Sequence, residues 1–166
     1  MKYYHGTDRS FKNFDISFAL EYKDFGIGIY LAQEEWHAEA IAKRKNKQHA
    51  FVRIYDLDLA ELKDKFNVKE FKKAKIPWVK FVLQNRNEIV SPEYDIVIGA
   101  TADARAQDIL ENFYYRFRKR KPSQKDYKQL ITELQVYNYP TQMCLLTQRA
   151  VDYVNKHCIK IIDKNK

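Results

Sequence analysis

The chain has 166 residues, of which 45% are hydrophobic and 14% aromatic, and it carries a formal net charge of +8 at pH 7. This length suits one domain, predicted to span residues 1–166, and the apolar content excludes a chain that is disordered by composition. No apolar run reaches the roughly 20 residues of a membrane span and no N-terminal segment resembles a signal peptide, so we expect a cytoplasmic protein without a membrane partner.

The positive charge favours an acidic partner such as a nucleic acid, an acidic protein or a phosphate-bearing ligand. Its densest block is residues 116–121. Cations also collect at helix C-termini and on solvated faces, and this interpretation is favoured because the block lacks the signature of a nucleic-acid-binding fold. The four histidines and the two cysteines, Cys144 and Cys158, show no metal-ligand spacing, so we predict no metal and a reducing compartment.

Hydrophobic periodicity, with glycine and proline at the boundaries, predicts short strands mixed with helices. In chain order the pattern predicts a strand (2–5), an irregular connection (7–24), a strand (27–32), a helix (33–45), a strand (50–55), a short helix or turn after 56–59, a helix (76–84), a strand (94–99), a helix (103–118), a helix capped by Ser123 and ending at 134, a strand (141–147), a helix (149–156) and a strand (159–162). Because strands and helices do not alternate regularly, the fold class is α+β rather than a doubly wound sheet.

The segment 24–32, with the sequence DFGIGIYLA, holds two of the four glycines of the chain. Glycines spaced by one residue predict a shaped turn, here followed by a strand that carries Tyr30. The triplet at 24–26 matches the magnesium motif of protein kinases, but a catalytic loop would have to precede it. A dinucleotide fingerprint is excluded as well, because the third glycine position is Leu31 and no helix N-terminus follows to receive a pyrophosphate.

Two motifs together resemble the ADP-ribosyltransferase superfamily, in its diphtheria-toxin and poly(ADP-ribose) polymerase branch. In that branch a first strand carries His-Gly-Ser or His-Gly-Thr and a later strand carries Gly-x-Gly-Ile-Tyr-Phe-Ala. The residues His5-Gly6-Thr7 and the segment 26–32 match these motifs in order. The resemblance implies a split mixed β-sheet core with flanking helices.

A closer resemblance is to a family of small, largely uncharacterised microbial proteins within this superfamily. Four strings in the same order carry it: residues 4–6 (YHG), 24–31 (DFGIGIYL), 94–103 (YDIVIGATAD) and 142–147 (QMCLLT). The resemblance extends from residue 3 to about residue 155. Each string alone is weak, but four in order are specific.

The resemblance implies NAD as the co-substrate and a binding site formed by His5, Gly6, Thr7, Gly28 and Tyr30. The Gly6 backbone would bind the nicotinamide carboxamide, with no Cβ to obstruct it. His5 would bind a ribose hydroxyl, and the Tyr30 ring would stack on the nicotinamide. The bland alternatives are a histidine satisfied by the backbone, a tyrosine packed in the core and, for Thr7, a hydroxyl that caps its local backbone.

The third catalytic position departs from the branch, because Gln142 stands where the superfamily has glutamate. A glutamine keeps the hydrogen bond to the ribose but lacks the charge that stabilises an oxocarbenium-like transition state, so polymer elongation is not expected. The alternative is that Gln142 merely ends a strand at the surface. The second tyrosine that covers nicotinamide in polymerase-like members also has no match, since residues 40–41 are Ala-Ile.

The resemblance therefore implies a mono-ADP-ribosyltransferase with Gln142, Tyr30 and His5 as catalytic residues and a protein or nucleic acid as acceptor. Such an enzyme could be a toxin or a phage-conflict effector, with a neutralising antitoxin as partner. Three alternatives stay open: a weak or inactive NAD or ADP-ribose binding module, an NAD glycohydrolase, and a basic RNA-binding protein.

Overall fold

The computed structural model describes residues 1–102, 104–135 and 139–164, with the side chains of residues 104 and 105 left out. The elements in this part of the chain are β1 (Lys2–Thr7), β2 (Ile29–Ala32), α1 (Glu35–Lys45), β3 (Phe51–Asp56), α2 (Leu59–Lys65), β4 (Val68–Glu70), α3 (Ile76–Asn87), β5 (Ile96–Ala100), α4 (Ala104–Arg116), α5 (Gln124–Leu134), β6 (Thr141–Leu145), α6 (Gln148–Asn155) and β7 (Cys158–Asp163). A 3₁₀ turn at Ile16–Phe18 lies in the connection between β1 and β2.

The strands form one mixed sheet in the order β4-β5-β6-β2-β1-β3-β7. The pair β4–β5 is parallel and the other neighbouring strands are antiparallel. Strands from the two ends of the chain, β1 and β7, flank β3 on either side. The predicted α+β class is therefore confirmed.

The predicted strands and helices are confirmed, with ends that move by a few residues. The Ser123 cap of α5 is present as a capping box with Asp126. Helix α3 runs three residues beyond its predicted end, to Asn87. The start predicted for α4, Asp103, lies outside the described residues.

Strand β4 (Val68–Glu70) was not predicted. Its three residues lie in a lysine-rich stretch without apolar alternation, and they become a strand through parallel pairing with Ile96–Ile98 of β5. Such pairing depends on residues about 28 positions away, which local periodicity does not report.

Successive strand residues point to opposite sides of the sheet, and apolar side chains on both sides pack against helices. On one face Ile29, Leu31 and Met143 pack with residues of α2 and α6. On the other face Val97 and Cys144 pack with α3, α4 and α5, and a small cluster of Ala32, Ala38 and Val52 forms beneath α1. The faces are called here the α6 face and the α1 face.

None of the helices in the described ranges is long and apolar enough to cross a membrane. The described residues also contain no group of three or more His, Cys, Asp or Glu side chains that could hold a metal ion. The basic block at 116–121 begins at Arg116, the last residue of α4, and its charged side chains are exposed.

Candidate functional site

Strands β1 and β2 separate after a single residue pair. Tyr4 pairs with Ala32, whereas β1 pairs with β3 along its whole length, from Lys2 to Thr7. Continuation of the β1–β2 register would place Gly6 opposite Tyr30, but this pair is not formed. The sheet is therefore open between the two strands at Gly6.

The backbone N–H and C=O of Gly6 face this opening. At the start of β1, the Leu57 N–H donates to the Met1 carbonyl over 2.9 Å and the Met1 amino group donates to the Leu57 carbonyl over 2.8 Å. Residues of an antiparallel strand alternate between bonding to one neighbour and to the other. Odd positions of β1 thus bond to β3, and Gly6 presents a donor and an acceptor on the β2 side.

Gly6 has no room for a side chain, for a reason that differs from the prediction. A Cβ at this position would lie 1.8 Å from the Ala38 carbonyl oxygen and 3.0 Å from the Ala42 nitrogen, both in the backbone of α1. The family resemblance predicts a glycine here so that a ligand can approach the backbone. In the structure the glycine permits α1 to pack directly on β1.

His5 is fixed beside the opening in a defined tautomer. Its Nδ1 lies 2.7 Å from the Tyr30 carbonyl oxygen, which only accepts, so Nδ1 carries the proton. Its ring meets Phe14 edge to face, with centroids 4.4 Å apart. Burial lowers the pKa of His5 to about 4; the hydrogen bond to Tyr30 opposes this shift, and the charges of Lys45 and Arg53 add smaller contributions that lower the pKa further.

The other ring nitrogen of His5 is available to a ligand. Because the ring is neutral near pH 7, Nε2 has a free lone pair and accepts a hydrogen bond. Among the described residues no donor binds Nε2, while Nδ1 is taken by the Tyr30 carbonyl. The arrangement suits an acceptor for a ligand hydroxyl.

We predict that His5 makes the protein less stable as the pH falls from 7 to 4. The unfolded chain protonates this side chain near pH 6.5, while the folded protein resists protonation down to about pH 4. The free energy of unfolding should therefore lose about 3 kcal/mol more in the wild type than in His5→Asn, which does not titrate. Urea unfolding of both proteins at several pH values measures this difference. Parallel pH profiles would contradict the prediction.

Arg53 holds the β1–β2 connection against His5. It is the cross-strand partner of His5 and is 2% exposed. Its guanidinium donates to the carbonyl oxygens of Phe11 and Lys12 and lies 5.2 Å from the centroid of the Phe14 ring. Sequence reasoning missed this residue, because a lone arginine in a strand gives no sign that it is buried.

The Tyr30 side chain is anchored to the glycine turn that precedes it. Its hydroxyl accepts from the Phe25 N–H over 2.9 Å and donates to the Gly26 carbonyl over 2.8 Å. The ring stacks on Phe25, with centroids 6.4 Å apart and planes inclined by 23°. Burial raises the pKa of Tyr30, so the phenol stays protonated and keeps both bonds.

The ring of Tyr30 and the ring of His5 lie on different faces of the sheet. His5 contacts the cluster on the α6 face through Phe14, whereas Tyr30 packs with the α3–α5 cluster on the α1 face. The structure therefore brings the His5 ring to the Tyr30 carbonyl rather than to the Tyr30 ring. The Tyr30 ring lies on the α1 face, the same side of the sheet to which a side chain at position 6 would point.

Each glycine of the turn meets a steric requirement. Gly26 has a φ of +101°, in the left-handed region that favours glycine. A Cβ on Gly28 would lie 2.5 Å from the Cys144 sulfur and 2.5 Å from the Leu145 carbonyl oxygen. Gly28 thus lets β2 approach β6, and the two glycines together place Tyr30.

Thr7 caps its local backbone, which is the alternative to ligand binding given for it above. The side chain is 3% exposed, and its hydroxyl accepts from the Arg9 N–H over 3.2 Å. This bond caps the turn after β1.

Gln142 is buried at the centre of the sheet rather than at its surface. It pairs with Ala32 of β2 and Gly99 of β5 and is 6% exposed. Its Nε2 donates to Asp24 Oδ2 over 2.9 Å. The alternative that Gln142 ends a strand at the surface is therefore wrong.

Asp24 is the central acceptor of a buried polar network. Arg86 lies against Oδ1, with Nε at 2.7 Å and a terminal nitrogen at 2.6 Å. Oδ2 accepts from the Ala102 N–H over 2.7 Å and lies 3.4 Å from the Thr101 hydroxyl. Sequence reasoning saw Asp24 only as part of a motif and missed its contact with Gln142.

Cys144 adjoins this network but is not a nucleophile. It pairs with Tyr30 across the strands and is fully buried. Burial raises the pKa of its thiol, so a thiolate is not available near neutral pH.

A separate cleft of about 460 Å³ lies on the outer side of the glycine turn. Its wall includes Phe25 and Gly26, which bind the Tyr30 hydroxyl, together with Phe81, Asn85 and Leu146. His5, Gly6 and Gln142 do not line it.

Residues 1–155 match the family model described as "Protein of unknown function (DUF3990)". The chain belongs to this family. All six predicted site residues of this DUF3990 protein lie within the matched range: His5, Gly6, Thr7, Gly28, Tyr30 and Gln142. Searches of curated proteins and of solved structures gave no match.

Proposed function

We propose that this protein binds NAD at the opening between β1 and β2 and transfers ADP-ribose to a macromolecular acceptor. The observation that carries the proposal is the Gly6 backbone, which has no partner in β2, beside a neutral His5. A carboxamide offers one N–H donor group and one C=O acceptor, which complement the C=O and N–H of Gly6. The nicotinamide carboxamide of NAD is such a group.

The neighbouring side chains fit the rest of the nicotinamide riboside. His5 Nε2 accepts from a ribose hydroxyl on the α6 face, and the Tyr30 ring offers an aromatic surface on the α1 face, so the proposal requires the ligand to pass through the opening between the strands. Gln142 contributes a neutral hydrogen bond to the ribose. The bond between ribose and nicotinamide breaks with its electron pair leaving on nicotinamide, and a nucleophile of the acceptor then bonds to the ribose carbon.

The sheet supports the family resemblance on which the proposal draws. A mixed sheet that opens between its first two strands agrees with the split core of ADP-ribosyltransferases, and the His-Gly and Gly-x-Gly-x-Tyr motifs flank the opening. The positive net charge of +8 favours an acidic protein or a nucleic acid as acceptor.

We predict that the purified protein releases nicotinamide from NAD. The rate of release should be at least tenfold lower in Tyr30→Ala. The Ala variant removes both the aromatic surface and the hydroxyl that holds the glycine turn, while Tyr30→Phe removes only the hydroxyl. Tyr115→Ala, at a tyrosine that is 62% exposed on α4, serves as the control. Chromatography of nicotinamide measures release, and mass spectrometry of protein and RNA from a lysate measures transfer. A folded wild type that gives neither product would contradict the proposal.

A second candidate is a module that binds NAD or ADP-ribose without turnover. Gln142 favours this candidate, because its side chain is uncharged and its amide nitrogen already donates a hydrogen bond to Asp24. This candidate predicts that NAD raises the melting temperature in proportion to the logarithm of its concentration above Kd, without nicotinamide release. His5→Ala should abolish that shift.

A further inference from the structure

The amide of Gln142 has a fixed orientation. Asp24 is paired with the guanidinium of Arg86, so its carboxylate only accepts hydrogen bonds, and the Gln142 nitrogen must face it. The amide oxygen Oε1 then points away from Asp24. No donor among the described residues binds Oε1, so within that part of the chain this oxygen keeps its capacity to accept a hydrogen bond.

Asp24 is itself held rigidly. Its side chain is 6% exposed, and the bonds from Arg86 and from the Ala102 N–H fix both of its oxygens. A side chain with so many partners cannot turn away from Gln142 without leaving buried donors unpaired.

We propose that Asp24 is a positioning residue that presents the Gln142 carbonyl oxygen as the hydrogen-bond acceptor of the site. The bond from the amide nitrogen to a carboxylate also polarises the amide and makes Oε1 a stronger acceptor. This inference rests on the proposed function, in which that oxygen accepts from a ribose hydroxyl. It also explains why position 142 holds glutamine, because a glutamate carboxylate would lie about 2.9 Å from Asp24.

The first test is a double-mutant cycle on stability that requires no activity. Gln142→Glu places two carboxylates together in a buried site and should lower the melting temperature at pH 7, with partial recovery as the pH falls toward 5. Asp24→Asn combined with Gln142→Glu restores an amide opposite a carboxylate. The double variant should therefore lose less melting temperature than the two single variants lose when their losses are added. Additive changes would overturn the proposal.

A matched control separates burial from charge. Gln129 donates to Glu133 over 3.0 Å on the exposed surface of α5, so Gln129→Glu makes the same chemical change in solvent. Its melting temperature should stay within a degree or two of the wild type. If Asp24→Asn does not fold, the comparison of Gln142→Glu with Gln129→Glu tests the proposal by itself. Melting temperatures that depend on pH in the same way in these two variants would overturn it.

The second test follows nicotinamide release. The double variant should turn over NAD at least tenfold faster than Gln142→Glu, with the change in kcat rather than KM, because it restores an amide–carboxylate pair. Coupled stability without turnover in the wild type contradicts the proposed function and leaves the Asp24–Gln142 pairing intact. Turnover in the wild type with additive stability contradicts the role of Asp24 alone.

Discussion

Replacement of Arg86 by methionine should lower the free energy of unfolding by roughly 3–5 kcal/mol, because it leaves a buried carboxylate without its counter-charge. Arg86 is 17% exposed and Asp24 6%, and the two lie 2.6 Å apart. Methionine has a similar volume, so the loss reports the unpaired charge of Asp24, with the lost hydrogen bond to the Ala102 carbonyl, rather than a cavity. Urea unfolding at pH 7 measures it.

The chain offers a matched control for this prediction. Arg149 and Asp95 also lie 2.6 Å apart, but Arg149 is 61% exposed, and Asp95, at 12% exposed, keeps hydrogen bonds from the Asn67 N–H and the Thr147 hydroxyl. Arg149→Met should therefore cost at most about 1 kcal/mol, since solvent screens the pair. Equal losses from the two arginines would show that Asp24 is not isolated from solvent and would weaken the account of Gln142.

Replacement of Gly6 by alanine should destabilise the protein by about 3 kcal/mol or more, because the added methyl meets backbone rather than a movable side chain. The built Cβ lies 1.8 Å from the Ala38 carbonyl oxygen, so α1 must shift or β1 must bend. Either movement alters the opening between β1 and β2, and NAD binding should weaken as well. Thermal unfolding with and without NAD measures both effects.

Gly99→Ala is the control for this substitution. Its Cβ would meet side-chain atoms of Phe25 and Phe71, beginning at 3.2 Å, and these have some freedom to adjust. We expect a clearly smaller loss of stability than for Gly6→Ala. A Gly6→Ala protein as stable as the wild type would contradict the close packing of α1 on β1.

The secondary structure follows from the sequence where local chemistry determines it. The hydroxyl of Ser123 and the carboxylate of Asp126 form a capping box at the start of α5, and both residues are recognisable by their spacing. The apolar run that ends at Gly99 predicts β5 for a similar reason. Strand β4 escapes prediction because its pairing with β5 is a tertiary contact.

The site follows from the sequence only in part. Motif spacing predicts His5, Gly6, Tyr30 and Gln142 as candidate site residues, but it does not show that β1 and β2 separate or that the His5 and Tyr30 rings lie on different faces of the sheet. Asp24 escapes for a physical reason, since its importance depends on burial and on partners up to 118 residues away. Neither property is encoded near the residue itself.

The most direct test of the account is an NMR titration of protein labelled with ¹⁵N at glycine only. The chain has four glycines, so the spectrum holds four backbone amide signals. We predict that NAD shifts the Gly6 signal most, and that an NAD analogue with a carboxylate in place of the carboxamide shifts it far less, because a carboxylate has no N–H for the Gly6 carbonyl. Four unchanged signals at millimolar NAD, with a folded protein, would contradict the proposal that the opening beside Gly6 binds nicotinamide.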